Sequence, residues 1–97
     1  MPLFRAPVVT VRLNTPIPVE DSQPAQFFTR SYYVRAQSVD DALLIIDERV
    51  TQEGGQVLSL DPLIVVEGLP PELMERAESD SQCGIVWQSG RMFFPAD

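Results

Sequence analysis

Ser38-Val39-Asp40-Asp41-Ala42-Leu43-Leu44-Ile45-Ile46-Asp47-Glu48-Arg49-Val50-Thr51-Gln52-Glu53-Gly54-Gly55 is the stretch whose periodicity decides the fold. Val39, Ala42, Leu43, Ile46 and Val50 recur at helical spacing, and Ser38 can cap the first turn with Asp41 at its third position. Asp40 and Asp41 lie where the helix dipole favours anions, and Gly54-Gly55 supplies a left-handed stop after Glu53. The pattern predicts a helix from Val39 to about Glu53 that lays Leu43, Ile46 and Val50 on a sheet. Leu44 and Ile45 widen the stripe, which predicts packing on more than one side of the helix.

Strands surround this helix. On its N-terminal side, Val9, Val11 and Leu13 alternate with Val8, Thr10 and Arg12, a period of two that reads as a half-buried strand. Asn14 to Gln26 carries Pro16, Pro18 and Pro24 around Glu20, Asp21 and Ser22, so residues 14–26 read as a long, mobile, proline-rich connection. Phe27 to Ala36 then reads as a strand with Phe28, Tyr32 and Val34 on one face and Thr29, Ser31, Tyr33 and Arg35 on the other. Arg30 falls on the apolar face, which predicts either a bulge near Thr29 or a place at the sheet end where the guanidinium reaches water.

Beyond the helix, Gln56 to Glu67 is apolar and rich in β-branched residues but is interrupted by Asp61-Pro62, so it reads as two short strands with a bend between them. Pro70-Pro71-Glu72 starts a short helix whose buried edge would be Leu73, Met74 and Ala77, ending within Glu78 to Gln82. Ile85-Val86-Trp87 and Met92-Phe93-Phe94, separated by Gln88-Ser89-Gly90-Arg91, read as a closing β-hairpin. The expected class is α+β: one domain over residues 1–97, with an antiparallel sheet, one main helix on one face, a short second helix and a C-terminal β-hairpin.

Composition narrows the chemistry. The chain has seven arginines against fourteen acids, a net charge of −7, no lysine, no histidine and one cysteine. Clustered cations, which nucleic acid binding requires, are missing, so no direct nucleic acid partner is expected. No apolar run is long enough for a membrane helix, and no basic segment followed by an apolar one opens the chain; the expectation is a cytoplasmic protein without a membrane partner. Without histidine the common hydrolytic triad cannot form, and Cys83 alone makes neither a zinc site nor an internal disulfide. No cofactor, metal site or catalytic group is therefore expected.

The paired carboxylates Asp40/Asp41 and Asp47/Glu48 occupy adjacent helix positions whose side chains diverge, which suits a solvated acidic face better than an acid/base couple. Arg5, Arg12, Arg30, Arg35 and Arg91 fall in or beside strands, so the molecule should be electrically two-sided. Tyr33, Arg35, Trp87 and Arg91 are of the types that dominate interfaces and make a second candidate patch.

In size, acidity and lack of catalytic groups the chain resembles immunity proteins as a class, which implies a non-catalytic protein-binding module, an inhibitor whose acidic side (Asp40, Asp41, Asp47, Glu48) covers a basic site on a toxin or nuclease. The alternative is a structural or assembly subunit that forms a homodimer through its sheet. Pro2, which removal of Met1 would expose as a secondary amine, is similar to the N-terminal proline base of the tautomerase superfamily. In that family the first strand leads directly into a helix, whereas here Pro7 interrupts and a second strand intervenes.

Overall fold

Phe4 and Ala6 occupy even positions and Val9, Val11 and Leu13 odd ones, yet all five are buried in one core cluster. In a strand, successive side chains point to opposite faces, so the parity must change between Ala6 and Val9. It does. In the computed structural model, which describes residues 2–19, 23–74 and 84–95 (of Met74 the backbone only), β1 spans Leu3–Ile17 and β2 spans Ala25–Arg35. Their antiparallel register pairs Ala6 with Tyr32 and Val9 with Arg30, leaving Pro7 and Val8 opposite Ser31 alone. This bulge turns the second half of β1 so that both halves present apolar residues to the same face. Pro7, which lacks a ladder donor, is tolerated within the strand there, and β1 is longer than the 8–13 stretch read from alternation.

The strands also take Asn14–Ile17 and Ala25–Gln26 out of the expected proline-rich connection; Glu20, Asp21 and Ser22 lie outside the described residues. After β2 the chain enters α1, Val39–Gln52, and the Ser38 side chain accepts a hydrogen bond from the Asp41 amide at 3.2 Å. Ala42, Ile46 and Val50 are buried against β1 and β2, while Leu43 is half-buried. Two expectations for this helix need correction. Val39 stands 46% exposed and Leu44 66% exposed, because the helix rests on a single layer and only its inner stripe is covered.

Gly54 ends the helix with φ of +84°. Gly55 is not part of that stop: it is the buried first residue of β3, Gly55–Leu60, opposite Leu13 of β1. β4, Ile64–Val66, follows the Asp61-Pro62-Leu63 bend, and both β3 and β4 pair with β1, along its C-terminal and N-terminal halves in turn. Next comes α2, described over Pro71–Met74. Leu69 and Leu73 pack with Leu3, Tyr33, Val86, Val66 and Trp87 in a second cluster. Leu3 and Tyr33 alternate with the residues under α1, so this cluster lies on the opposite face of the sheet. Ala77, the polar run Glu78 to Gln82 and Cys83 lie outside the described residues.

The strand–turn–strand unit at the C-terminus is formed by β5, Gly84–Gln88, and β6, Met92–Pro95. Both strands are hydrogen-bonded to β2, in succession: β5 beside Tyr32 to Arg35 and β6 beside Ala25 to Thr29. The fold is thus α+β, a six-stranded antiparallel sheet ordered β3-β1-β2-β5 with β4 and β6 continuing the two outer positions. Among the described residues, no helix is long and apolar enough to cross a membrane.

Arg30 lies on the helix face, as its parity requires, but the two routes expected for it are corrected. β2 has no bulge at Thr29, and the guanidinium does not reach water: its side chain is 9% exposed and bonds Glu53 Oε2 at 2.6 Å.

Gly55 offers a direct test of the packing between β1 and β3. A Cβ there would stand 2.5 Å from Val11 Cγ1, in a fully buried side chain, and 3.0 Å from the Arg12 carbonyl oxygen. We predict that Gly55→Ala costs roughly 1–3 kcal/mol in denaturant unfolding. Gly68→Ala, at a position where a Cβ meets nothing within 4 Å, should stay within about 0.5 kcal/mol of the parent. Equal stability of the two variants would contradict this packing.

Candidate binding surface

The outer face of α1 is the most distinctive surface of the molecule. Leu44 stands in the middle of it, 66% exposed. Residues three and four apart on a helix are neighbours, and at those spacings from Leu44 come Asp40, Asp41, Asp47 and Glu48. All four carboxylates predicted for partner binding therefore ring one exposed leucine. Asp40, Asp47 and Glu48 are exposed and Asp41 is half-buried. Asp40 and Asp41 are in the first turn, where the dipole favours them, and the Asp47 carbonyl accepts from Thr51 Oγ1 at 2.9 Å, so the face is held by the helix itself. Beside Glu48 a shallow cleft of about 280 Å³ runs between Ile45, Arg49 and Gln52 of the helix and Gly84 and Ile85 of β5. Leu44 escaped sequence reasoning because periodicity counts it in the apolar stripe; its position between four acids at helical spacing was the available signal.

The sheet-side set divides. Tyr33 and Trp87 are paired across β2 and β5, their rings 5.8 Å apart and nearly perpendicular. Tyr33 is buried at 7% exposure beneath Leu69 and Leu73, and Trp87 is half-buried in the same cluster. Arg35, half-buried, follows on that face of β2. Arg91 is on the other side, its guanidinium carbon 5.0 Å from the Phe93 ring centre and 5.5 Å from that of Phe28, and Phe28 belongs to the core under α1. The four residues do not form one patch. Arg5 and Arg12 are exposed on the face away from α1, so acids and part of the arginines do separate across the sheet.

Between the helix end and the sheet lies a polar knot that sequence reasoning saw only as the anomaly of Arg30. Glu53 follows α1, where a negative charge opposes the dipole, and Arg30 compensates it directly. Arg30 also donates from Nε and Nη2 to the Ser89 carbonyl at 3.0 and 2.5 Å, and Arg49 Nη1 donates to Gln88 Oε1 at 3.2 Å. Tyr32, with its ring 5.7 Å from the Arg30 guanidinium carbon, is fully buried, and neither its hydroxyl nor Glu53 Oε1 has a hydrogen-bond partner among the described residues. Burial first, and the Glu53 carboxylate second, push the Tyr32 phenol up to about 12, with Arg30 and Arg49 offsetting part of that rise. Pro2 is exposed at the start of β1, and its carbonyl accepts from the Ala36 amide at 3.2 Å.

Tyr32 generates a prediction with a defined pH window. Its folded-state pKa lies above the ordinary phenol value of 10.0, so the folded chain holds the proton longer than the unfolded one. The corresponding stability is fully present below pH 10 and is lost as pH rises towards about 12. Tyr32→Phe removes a buried hydroxyl that lacks a partner; it should leave neutral-pH stability within about 1 kcal/mol or raise it, and should flatten the alkaline loss. Denaturant unfolding of both chains across that range, with tyrosinate absorbance followed in parallel, checks both statements.

Against protein-family models, curated proteins and solved structures, the chain finds no match in any of the three comparisons.

Proposed function

We propose that this chain is a small, non-catalytic protein-binding module that covers a basic site on a partner with the outer face of α1, in the manner of an inhibitor or immunity-type protein acting on a toxin or nuclease in the cytoplasm. One observation carries the reading: Leu44, 66% exposed, is surrounded at helical spacing by Asp40, Asp41, Asp47 and Glu48. An apolar side chain left in water within a ring of like charges gains most from a partner that offers an apolar pocket with a basic rim. Burying the leucine would contribute about 1.5–3 kcal/mol, and the carboxylates would steer the encounter. Support for a non-catalytic role comes from the absence of histidine and lysine in the sequence and from the divergence of the adjacent carboxylates.

The reading predicts separable effects on the two rate constants. With the partner purified from the native host, association should slow as salt rises through the physiological range, and reversing Asp47 and Glu48 to Arg should slow it further while leaving the fold intact. Leu44→Ala should leave association speed and melting temperature near the parent's but quicken dissociation on the order of tenfold. A salt-independent association rate and an unaffected Leu44→Ala complex would move the binding surface away from α1.

A further inference from the structure

β6 is the outermost strand on its side of the sheet, and no described strand pairs with its outer edge. Proteins commonly blunt such edges with charge, proline or a bulge. The opposite edge has all three: a register shift at Leu58, the Asp61-Pro62 break and Glu67 just after β4. Within Met92–Pro95, β6 has only Pro95, set beside a register shift at Gln26 of β2. Its neighbouring cation, Arg91, is stacked over Phe28 and Phe93 on the helix side. Met92 and Phe94 stand 64% and 42% exposed on the face away from α1, and Phe93 stands 38% exposed on the helix face, where its ring meets Phe28 at 6.0 Å. Behind β6, residues Ala25 to Thr29 of β2 carry no charge. In a chain of net charge −7, Arg91 is thus the only charge along Gln88 to Pro95 and the part of β2 beside β6.

The geometry points to a second copy of this chain as the occupant, its β6 pairing antiparallel with this one across a two-fold axis at Phe93. In that register Phe93 faces Phe93, Met92 faces Phe94 and Arg91 faces Pro95. Each of the three apolar residues meets an apolar residue, and no like charges are opposed. A slip of one residue would set Arg91 against Phe94 and turn the two helices to opposite sides of the joined sheet, because strand side chains alternate with period two. The self-paired edge needs no foreign charge, which suits a strand that has none of its own. It leaves the outer face of α1 open, so it is independent of the function proposed above.

Sedimentation equilibrium of the full chain tests the pairing. The parent should show a monomer–dimer equilibrium that tightens when salt is added, since the apolar edge must overcome repulsion between two copies of charge −7. Met92→Lys, at a position more exposed than Phe93 or Phe94, should weaken the dimer at least tenfold without changing the circular dichroism or the melting temperature. In a Cys83→Ser background, Phe93→Cys should oxidise to a covalent dimer, whereas Leu58→Cys on the opposite edge should not. A parent that stays monomeric at every concentration overturns the inference, whatever other extended chain binds the edge. So does a dimer that survives Met92→Lys, or one that is captured by Leu58→Cys and not by Phe93→Cys.

Discussion

The two-for-one step that sets Pro7 and Val8 against Ser31 governs the rest of the molecule. Without it, either Phe4 and Ala6 or Val9, Val11 and Leu13 would face away from α1, and the helix would have half a sheet to rest on. With it, one continuous apolar floor runs beneath Ala42, Ile46 and Val50. The bulge also explains why its backbone is tolerable: the Pro7 carbonyl accepts from Ser31 Oγ at 2.5 Å and the Val8 carbonyl from the Asp61 amide at 3.0 Å. The same register leaves β2 regular from Phe27 to Arg35 and so obliges Arg30 to point at the helix. There the guanidinium meets Glu53 and the Ser89 carbonyl, and a residue that looked misplaced ties the helix end to the strand break beyond it. Removing one member of such a part-buried pair costs more than the pair itself contributes, because the other charge is left without compensation.

The helix serves two purposes with two stripes. Its inner residues hold the sheet, and its outer residues set an exposed leucine among carboxylates that the helix backbone positions without help from any loop. A surface mounted on a capped helix over a packed core changes little when it meets a partner, so less ordering entropy opposes binding. The exposed apolar residues of β6 lie at the sheet edge and have a different character, poor in charge and beside unpaired backbone. The two surfaces share no side chain.

Much of the fold was legible from local pattern. The capped helix, the pair of strands broken at Asp61-Pro62 and the closing pair around Gly90 all follow from periodicity and from residues with restricted backbone freedom. Features set by distant pairing were not. Arg30 announced an irregularity, but parity within β2 alone could not say that the extra residue lies in β1. Pro7 reads locally as an interruption, and only the bulge opposite Ser31 makes it compatible with a strand of 15 residues. Gly55 reads as half of a helix stop until Val11 is found against it. Likewise the partner of the two strands that flank Ser89-Gly90-Arg91, which is β2 for both, is not written in the turn itself. Of the candidate surface, the acids were readable, whereas the exposure of Leu44 depends on how many layers cover the helix, which no period reveals.

One set of irregularities lines up across all four strand positions. Asp61 to Leu63 interrupts one outer position, Pro7 and Val8 bulge from β1, Ser31 answers them in β2, and Ser89 to Arg91 interrupts the other outer position. Hydrogen bonds stitch this line, with the Ser31 amide donating to Ser89 Oγ at 2.8 Å and the Ser89 amide to the Ser31 carbonyl at 3.0 Å. The ladder is therefore interrupted across its middle, with each outer position docked as two short segments on either side of that line. A length change in one outer segment should end at that interruption, because β3, β4, β5 and β6 each pair separately with β1 or β2. Such insulation would let each quadrant of the sheet change length on its own while the helix-bearing floor stays intact.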